Sequence, residues 1–125
     1  MNREIEFRGL RTDGKGWVYG NLNHYKRDVA CIIDYLDEKL EIHEVNPESV
    51  GQFTGLLDKN GVKIFEGKNC IRLIIIGLGE GICDVVFENG VFGIYEPSQG
   101  FYPLTEALNN DSIIIEVIEN IHENK

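Results

Sequence analysis

Charged and apolar residues alternate through "REIEFRGL", Arg3 to Leu10, which is the period of a half-buried strand. The turn cluster "TDGKG" follows, and "WVYGNL" then resumes an aromatic, β-branched run, so the two stretches predict an N-terminal hairpin. "YKRDVACIIDYLDEKLEIHEV" fits two periods. Val29, Ile32, Ile33, Tyr35 and Leu36 partly suit a helical face, whereas "VACII" and "KLEIHEV" suit strands with "DYLDEK" turning between them. Two strands is the preferred reading. Pro47 then drives Asn46 out of the helical region, so "NPES" predicts a short turn.

Two Asn-Gly pairs punctuate the rest of the chain. Lys59-Asn60-Gly61 lies between "VGQFTGLLD" and "VKIFEG", and Asn89-Gly90 lies between "ICDVVFE" and "VFGIYE". Asn-Gly between apolar runs predicts a type I′ hairpin, because both residues take positive φ at little cost. "IRLIIIG" and "SIIIEVI" are apolar at consecutive positions, so both faces of each predicted strand are partly greasy. "PSQGFYPL" reads as a loop, and "LTEALNN" holds enough pattern for one or two helical turns. The expected class is mainly β, or β-rich α+β, with antiparallel hairpins and one short helix. An SH3-like curled sheet or small barrel is expected in the C-terminal half.

A chain of 125 residues fits one domain spanning 1–125, with an alternative division into an N-terminal hairpin subdomain (about 1–47) and a barrel-like part (about 48–125). No apolar run approaches the roughly 20 residues of a transmembrane helix. The N-terminus carries charges where a signal peptide needs an apolar stretch, so a cytoplasmic protein without membrane contact is expected. Cys31, Cys70 and Cys83 sit among aliphatic residues without a C-x-x-C pair, which predicts reduced core thiols. His24, His43 and His122 are too scattered to complete a zinc site with them, so neither metal nor cofactor is expected.

Charge changes the picture at one end. The net charge is −9; residues 80–125 hold nine Asp/Glu against one Lys, whereas residues 1–30 hold six Lys/Arg against four Asp/Glu. Such an acidic third repels phosphate backbones, so direct nucleic-acid binding is disfavoured there. Solubility explains the acidity more simply than an acidic docking face does.

Candidate chemistry is sparse. Gly51, Gly55 and Gly67 have no phosphate-loop spacing. Glu41 and His43 share one face of a strand, a pair able to act as a base, but no nucleophile motif or third orienting group accompanies them. No catalytic residue is therefore assigned. Trp17, Tyr19 and Tyr25 offer an aromatic platform for bases, with core packing the better explanation. Gln52, Thr54, Asp58 and Lys59, read as exposed polar side chains around the first Asn-Gly hairpin, are the candidate binding surface.

The stretch "ESVGQFTGLLDKNGVKIFEG" resembles the signature segment of the YopX family of phage and prophage proteins. "REIEFRG" with "WVYGNL", "DVVFENGVFGI" and "IEVIENIHEN" resemble the family's opening, downstream hairpin and closing strand, in order. "GKNCIRLIII" departs from it, with Lys68 where an acidic residue is usual. The resemblance implies phage origin and a compact, mainly β fold; it supplies no catalytic residues. Three functions are expected in descending order. The first is a non-enzymatic accessory protein acting by protein–protein contacts, as a homo-oligomer or with a host or phage protein. The second is an acidic inhibitor that imitates DNA before a host nuclease or DNA-binding protein. The third is a small hydrolase.

Overall fold

Asn89 and Gly90 adopt φ of 52° and 83°, the pair of positive values that a type I′ turn demands, and Glu88 faces Val91 across the tight hairpin they close. Such hairpins build most of the molecule. The computed structural model describes residues 4–26, 29–36, 39–96 and 100–118. A six-stranded antiparallel sheet runs in the order β4-β3-β2-β1-β5-β6, from β1 (Phe7–Leu10), β2 (Trp17–Lys26), β3 (Val29–Leu36), β4 (Lys39–Val45), β5 (Gly51–Leu57) and β6 (Lys63–Phe65). A five-stranded antiparallel sheet runs β10-β9-β8-β7-β11, from β7 (Gly67–Ile75), β8 (Gly79–Glu88), β9 (Val91–Glu96), β10 (Gly100–Pro103) and β11 (Ile113–Val117). One short helix, α1 (Leu104–Leu108), and a 3-10 turn at Pro47–Ser49 complete the described residues. The protein is mainly β, as its alternating pattern predicts.

The ambiguous segment after Tyr25 is two strands, β3 and β4, in register from Ala30 opposite Val45 to Leu36 opposite Lys39. Four local expectations change. Glu4 to Glu6 precede the first strand instead of starting it. "GFYP", read as loop, is β10, because its backbone continues the sheet from Gly100 opposite Glu96 to Pro103 opposite Gly93. Proline is tolerated there because β10 is an edge strand. The first Asn-Gly hairpin is not type I′: Gly61 alone of the pair has positive φ, and Gly61 N–H donates to Asp58 O at 3.0 Å. That is a type I turn followed by a left-handed glycine. Finally, neither sheet closes into a barrel, although both are compatible with curling.

The six-stranded sheet curls until the end of β4 meets the residues after β1. Arg11 bridges Val45, and Asn46 N–H donates to Leu10 O at 2.8 Å. Glycine is required at position 9, since a Cβ there would lie 2.8 Å from the Val45 side chain. Ala30, Ile32 and Val45 are buried inside the curl, with Phe7, Val18, Leu22 and Val50 packed on them. Strands β5 and β6, beyond residue 47, belong to this same sheet.

The main core lies on one face of the five-stranded sheet. Ile71, Leu73, Val85, Ile94 and Ile115 are buried there, under Leu104 and Ala107 of α1 and Ile64 of β6. Each such side chain contributes about 1.5–3 kcal/mol relative to exposure. The helix and the β5–β6 hairpin thus cover one face of the greasy runs from within the chain, while Ile76 stays exposed.

Candidate functional site

Asp58 stands at the β5–β6 turn, and its carboxylate is its reason for being there. Oδ1 accepts the N–H groups of Asn60 (2.8 Å) and Val62 (2.9 Å), and Oδ2 accepts Val117 N–H of β11 at 2.8 Å. The residue is buried, 6% exposed, so it is no surface ligand group as its loop position implied. It ties the hairpin of one sheet to the edge of the other. Lys59 beside it is exposed and pairs with Glu116 at 2.9 Å, and Glu116 also meets Arg72 at 3.4 Å. Thr54, half-buried, donates to Ile64 O at 2.8 Å and accepts Leu56 N–H at 3.2 Å.

These four residues divide between two places. Gln52 and Thr54 line a cleft of about 200 Å³ with Phe87, Gly90 and Phe92 of the β8–β9 hairpin, where the two sheets meet. Asp58 and Lys59 line another, beside Leu108 and Ile115. They do not form one surface.

Glu41 and His43 do come together on β4, with Oε1 and Nε2 3.2 Å apart. No cluster of three or more His, Cys, Asp or Glu able to hold a metal exists among the described residues, and His122 lies outside them. Trp17 is not open for base stacking. The buried Arg8 guanidinium sits 4.1 Å from its ring centroid and 5.0 Å from that of Phe65. Tyr19 packs against Phe65 at 5.5 Å, and the Tyr25 side chain lies outside the described residues. Burial pushes the Cys70 thiol up to about 11, and burial followed by Asp84 and Glu96 raises Cys83. Both are neutral thiols at physiological pH and poor nucleophiles. Cys31 and Cys70 are buried, as their aliphatic context predicts, while Cys83 is half-buried.

Two features escaped the residue pattern. The first is the outer edge of β4. It is an end strand of its sheet, and from Lys39 to His43 no strand lies beside it among the described residues; Thr12 N–H reaches it only at Glu44 O, 3.1 Å. Leu40 and Ile42 share one face of this edge and are 51% and 48% exposed. The second is a cleft of about 440 Å³ at the β7–β8 hairpin, with Leu73, Ile75, Cys83 and Glu96 in its lining. The sequence signal for the first was present, since "KLEIHEV" alternates apolar residues with charge, but which strand ends the sheet is a long-range fact.

The YopX protein family model matches residues 6–125. The chain belongs to the YopX family. Its fold is similar to the crystal structure of protein EF1440 from Enterococcus faecalis, with a TM-score of 0.55 and 25% identity, over 98% of this chain and 96% of that one. No curated protein matches it. Among the described residues no helix is long and apolar enough to cross a membrane.

Proposed function

We propose that this YopX-family chain is a phage or prophage accessory protein of the bacterial cytoplasm that works without catalysis, through protein–protein contacts, and that its first partner is a second copy of itself. The open edge of β4 carries the reading. An unpaired edge strand with exposed apolar side chains is a template for another strand. Two copies of β4 paired antiparallel about a two-fold axis at Ile42 place Ile42 against the partner's Ile42. The same register sets Glu41 opposite the partner's His43 and, by symmetry, His43 opposite the partner's Glu41. Opposite-sign or hydrogen-bonding cross-strand pairs stabilise such a ladder, and registers centred on Glu41 or His43 put like groups together. This edge is self-complementary.

Hydrogen exchange tests the pairing. The outward amides between Lys39 and His43 should gain protection as protein concentration rises through the micromolar range, while the protection of the β8–β9 amides in the other sheet stays unchanged. Equal, fast exchange at every concentration contradicts it. The acidic-inhibitor reading draws less support, because several acidic groups of the C-terminal third are already engaged: Glu116 with Lys59 and Arg72, Asp84 with Asn69 N–H at 2.7 Å, and Glu88 with the Tyr95 hydroxyl. The hydrolase reading rests on Glu41 and His43 alone, with no third group to orient them.

A further inference from the structure

The alternation of β1 that puts Phe7 inside the curl of the six-stranded sheet puts Arg8 on the opposite face. There Arg8 stands across from Tyr19 on one side and Gly51 on the other, and Leu10 stands across from Trp17. Phe53, two residues after Gly51, pairs with Phe65 on the same face. Arg8 is therefore set among aromatic rings, and it is buried, 8% exposed. Its guanidinium carbon lies 4.1 Å from the Trp17 ring centroid and 5.0 Å from that of Phe65. Ring contacts offset part of a cation's charge but accept no conventional hydrogen bond, so they leave its N–H groups unused. Arg8 Nε is buried without a hydrogen-bond partner among the described residues, and so is Trp17 Nε1 beside it. No ion pair among the described residues includes Arg8. The neighbouring Cys70 thiol, pushed up to about 11 by burial, is neutral and does not balance the charge. A buried cation in this state lacks the partner that buried charges ordinarily have.

We infer that Arg8 and Trp17 form a receptor for a carboxylate from outside the chain, carried by a small organic acid or by an acidic side chain of a protein partner. A carboxylate has one oxygen for each of the two idle donors, and the stacked guanidinium keeps both donors within its span. Its single negative charge neutralises the single guanidinium. A phosphate dianion would leave negative charge among Trp17, Tyr19, Phe53 and Phe65, an aromatic setting that solvates it poorly. Tyr19, 41% exposed and directly opposite Arg8, marks the side from which the ligand enters. Residues 1–30 hold six Lys/Arg against four Asp/Glu, so this part of the chain does not repel an anion as the acidic remainder does. The site lies on β1, β2 and β6 and not on the open edge of β4, so neither proposal depends on the other.

Trp17 is the one tryptophan of the chain, so its indole N–H gives a single resonance that reports on the site. Isotope-labelled protein is titrated with sodium acetate at pH 7, with sodium chloride holding the ionic strength constant. The indole resonance should move saturably, with half-saturation at roughly millimolar acetate. Inorganic phosphate in its place should bind at least about tenfold more weakly. A blocked Gly-Asp-Gly peptide separates the two sources. Tighter binding than acetate assigns the carboxylate to a protein side chain, and weaker binding assigns it to a small acid. Arg8→Met keeps much of the bulk, removes the charge and the donors, and should abolish the response. Arg8→Lys keeps the charge without the planar fork; it should bind acetate more weakly than wild type, and it carries the test if Arg8→Met does not fold. An indole resonance that stays still at about 100 mM acetate overturns the inference. So does movement without saturation, the same movement in Arg8→Met, or phosphate binding as tightly as acetate.

Discussion

Asp58 shows what a single residue does in a fold of two sheets. Its carboxylate accepts three backbone N–H groups, two that shape the β5–β6 turn and one from β11 in the other sheet. Asp58→Ala leaves these donors without acceptors in a buried place and should destabilise the protein by about 2–4 kcal/mol, read as a lower urea midpoint. An unchanged midpoint would mean that the hairpin does not need the tie. From the sequence, "LLDKNG" announces a turn and marks Asp58 as a turn residue, but its second oxygen is engaged 59 positions away, which no local pattern reveals. Glu116 contributes differently. Lys59, and then Arg72, hold its carboxyl below the ordinary 4.5. A group whose folded value is depressed adds stability above the unfolded value, and that stability is lost as pH falls through the folded one. Glu116→Gln should therefore lower the melting temperature at pH 7 and make no difference well below pH 4.5, measured by parallel thermal scans. The cysteines make a third residue-scale case: raised thiols predict that iodoacetamide at pH 7.5 leaves Cys70 untouched in the folded protein and alkylates it once urea is added.

At the scale of elements, the two Asn-Gly hairpins look alike in sequence and differ in structure. Asn89 is held at positive φ, while Asn60 is not, because the Asp58 carboxylate caps the turn around Asn60. Asn89→Ala forces a Cβ-bearing residue without a polar side chain into the left-handed region and should cost about 1 kcal/mol. Asn60→Ala should cost less than about 0.5 kcal/mol. Comparable losses for the two would contradict the assigned turns. Strands were legible where alternation or aliphatic runs were strong, as in β2, β7 and β11, and less so in β3, whose apolar residues also suit a helical face. β10 was not, since glycine and proline at its ends disguise a short edge strand whose only support is the neighbour β9. The helix was legible through its apolar spacing, although Pro103 caps it with no side-chain hydrogen bond.

On the scale of the whole molecule, the core face of the greasy strands is covered by the chain itself, by α1 and by Ile64 of β6, while Ile76 stays exposed. Composition and periodicity foretold the apolar surplus but not what covers it, because covering is decided by which elements the topology stacks. The candidate binding residues suffered the same limit: Gln52 and Thr54 went to one cleft and Asp58 and Lys59 to another. The case for self-association therefore rests on β4, whose exposed Leu40 and Ile42 and whose Glu41–His43 spacing match a reversed copy of the strand. Multi-angle light scattering during size exclusion tests that claim most directly, on wild type and on Ile42→Pro, which removes a donor on the open side of β4, since outward backbone groups alternate from Glu44. Wild type at micromolar concentration should elute at twice the 14.2 kDa chain mass and Ile42→Pro at that mass; a wild-type mass of 14.2 kDa that does not rise with concentration contradicts the account.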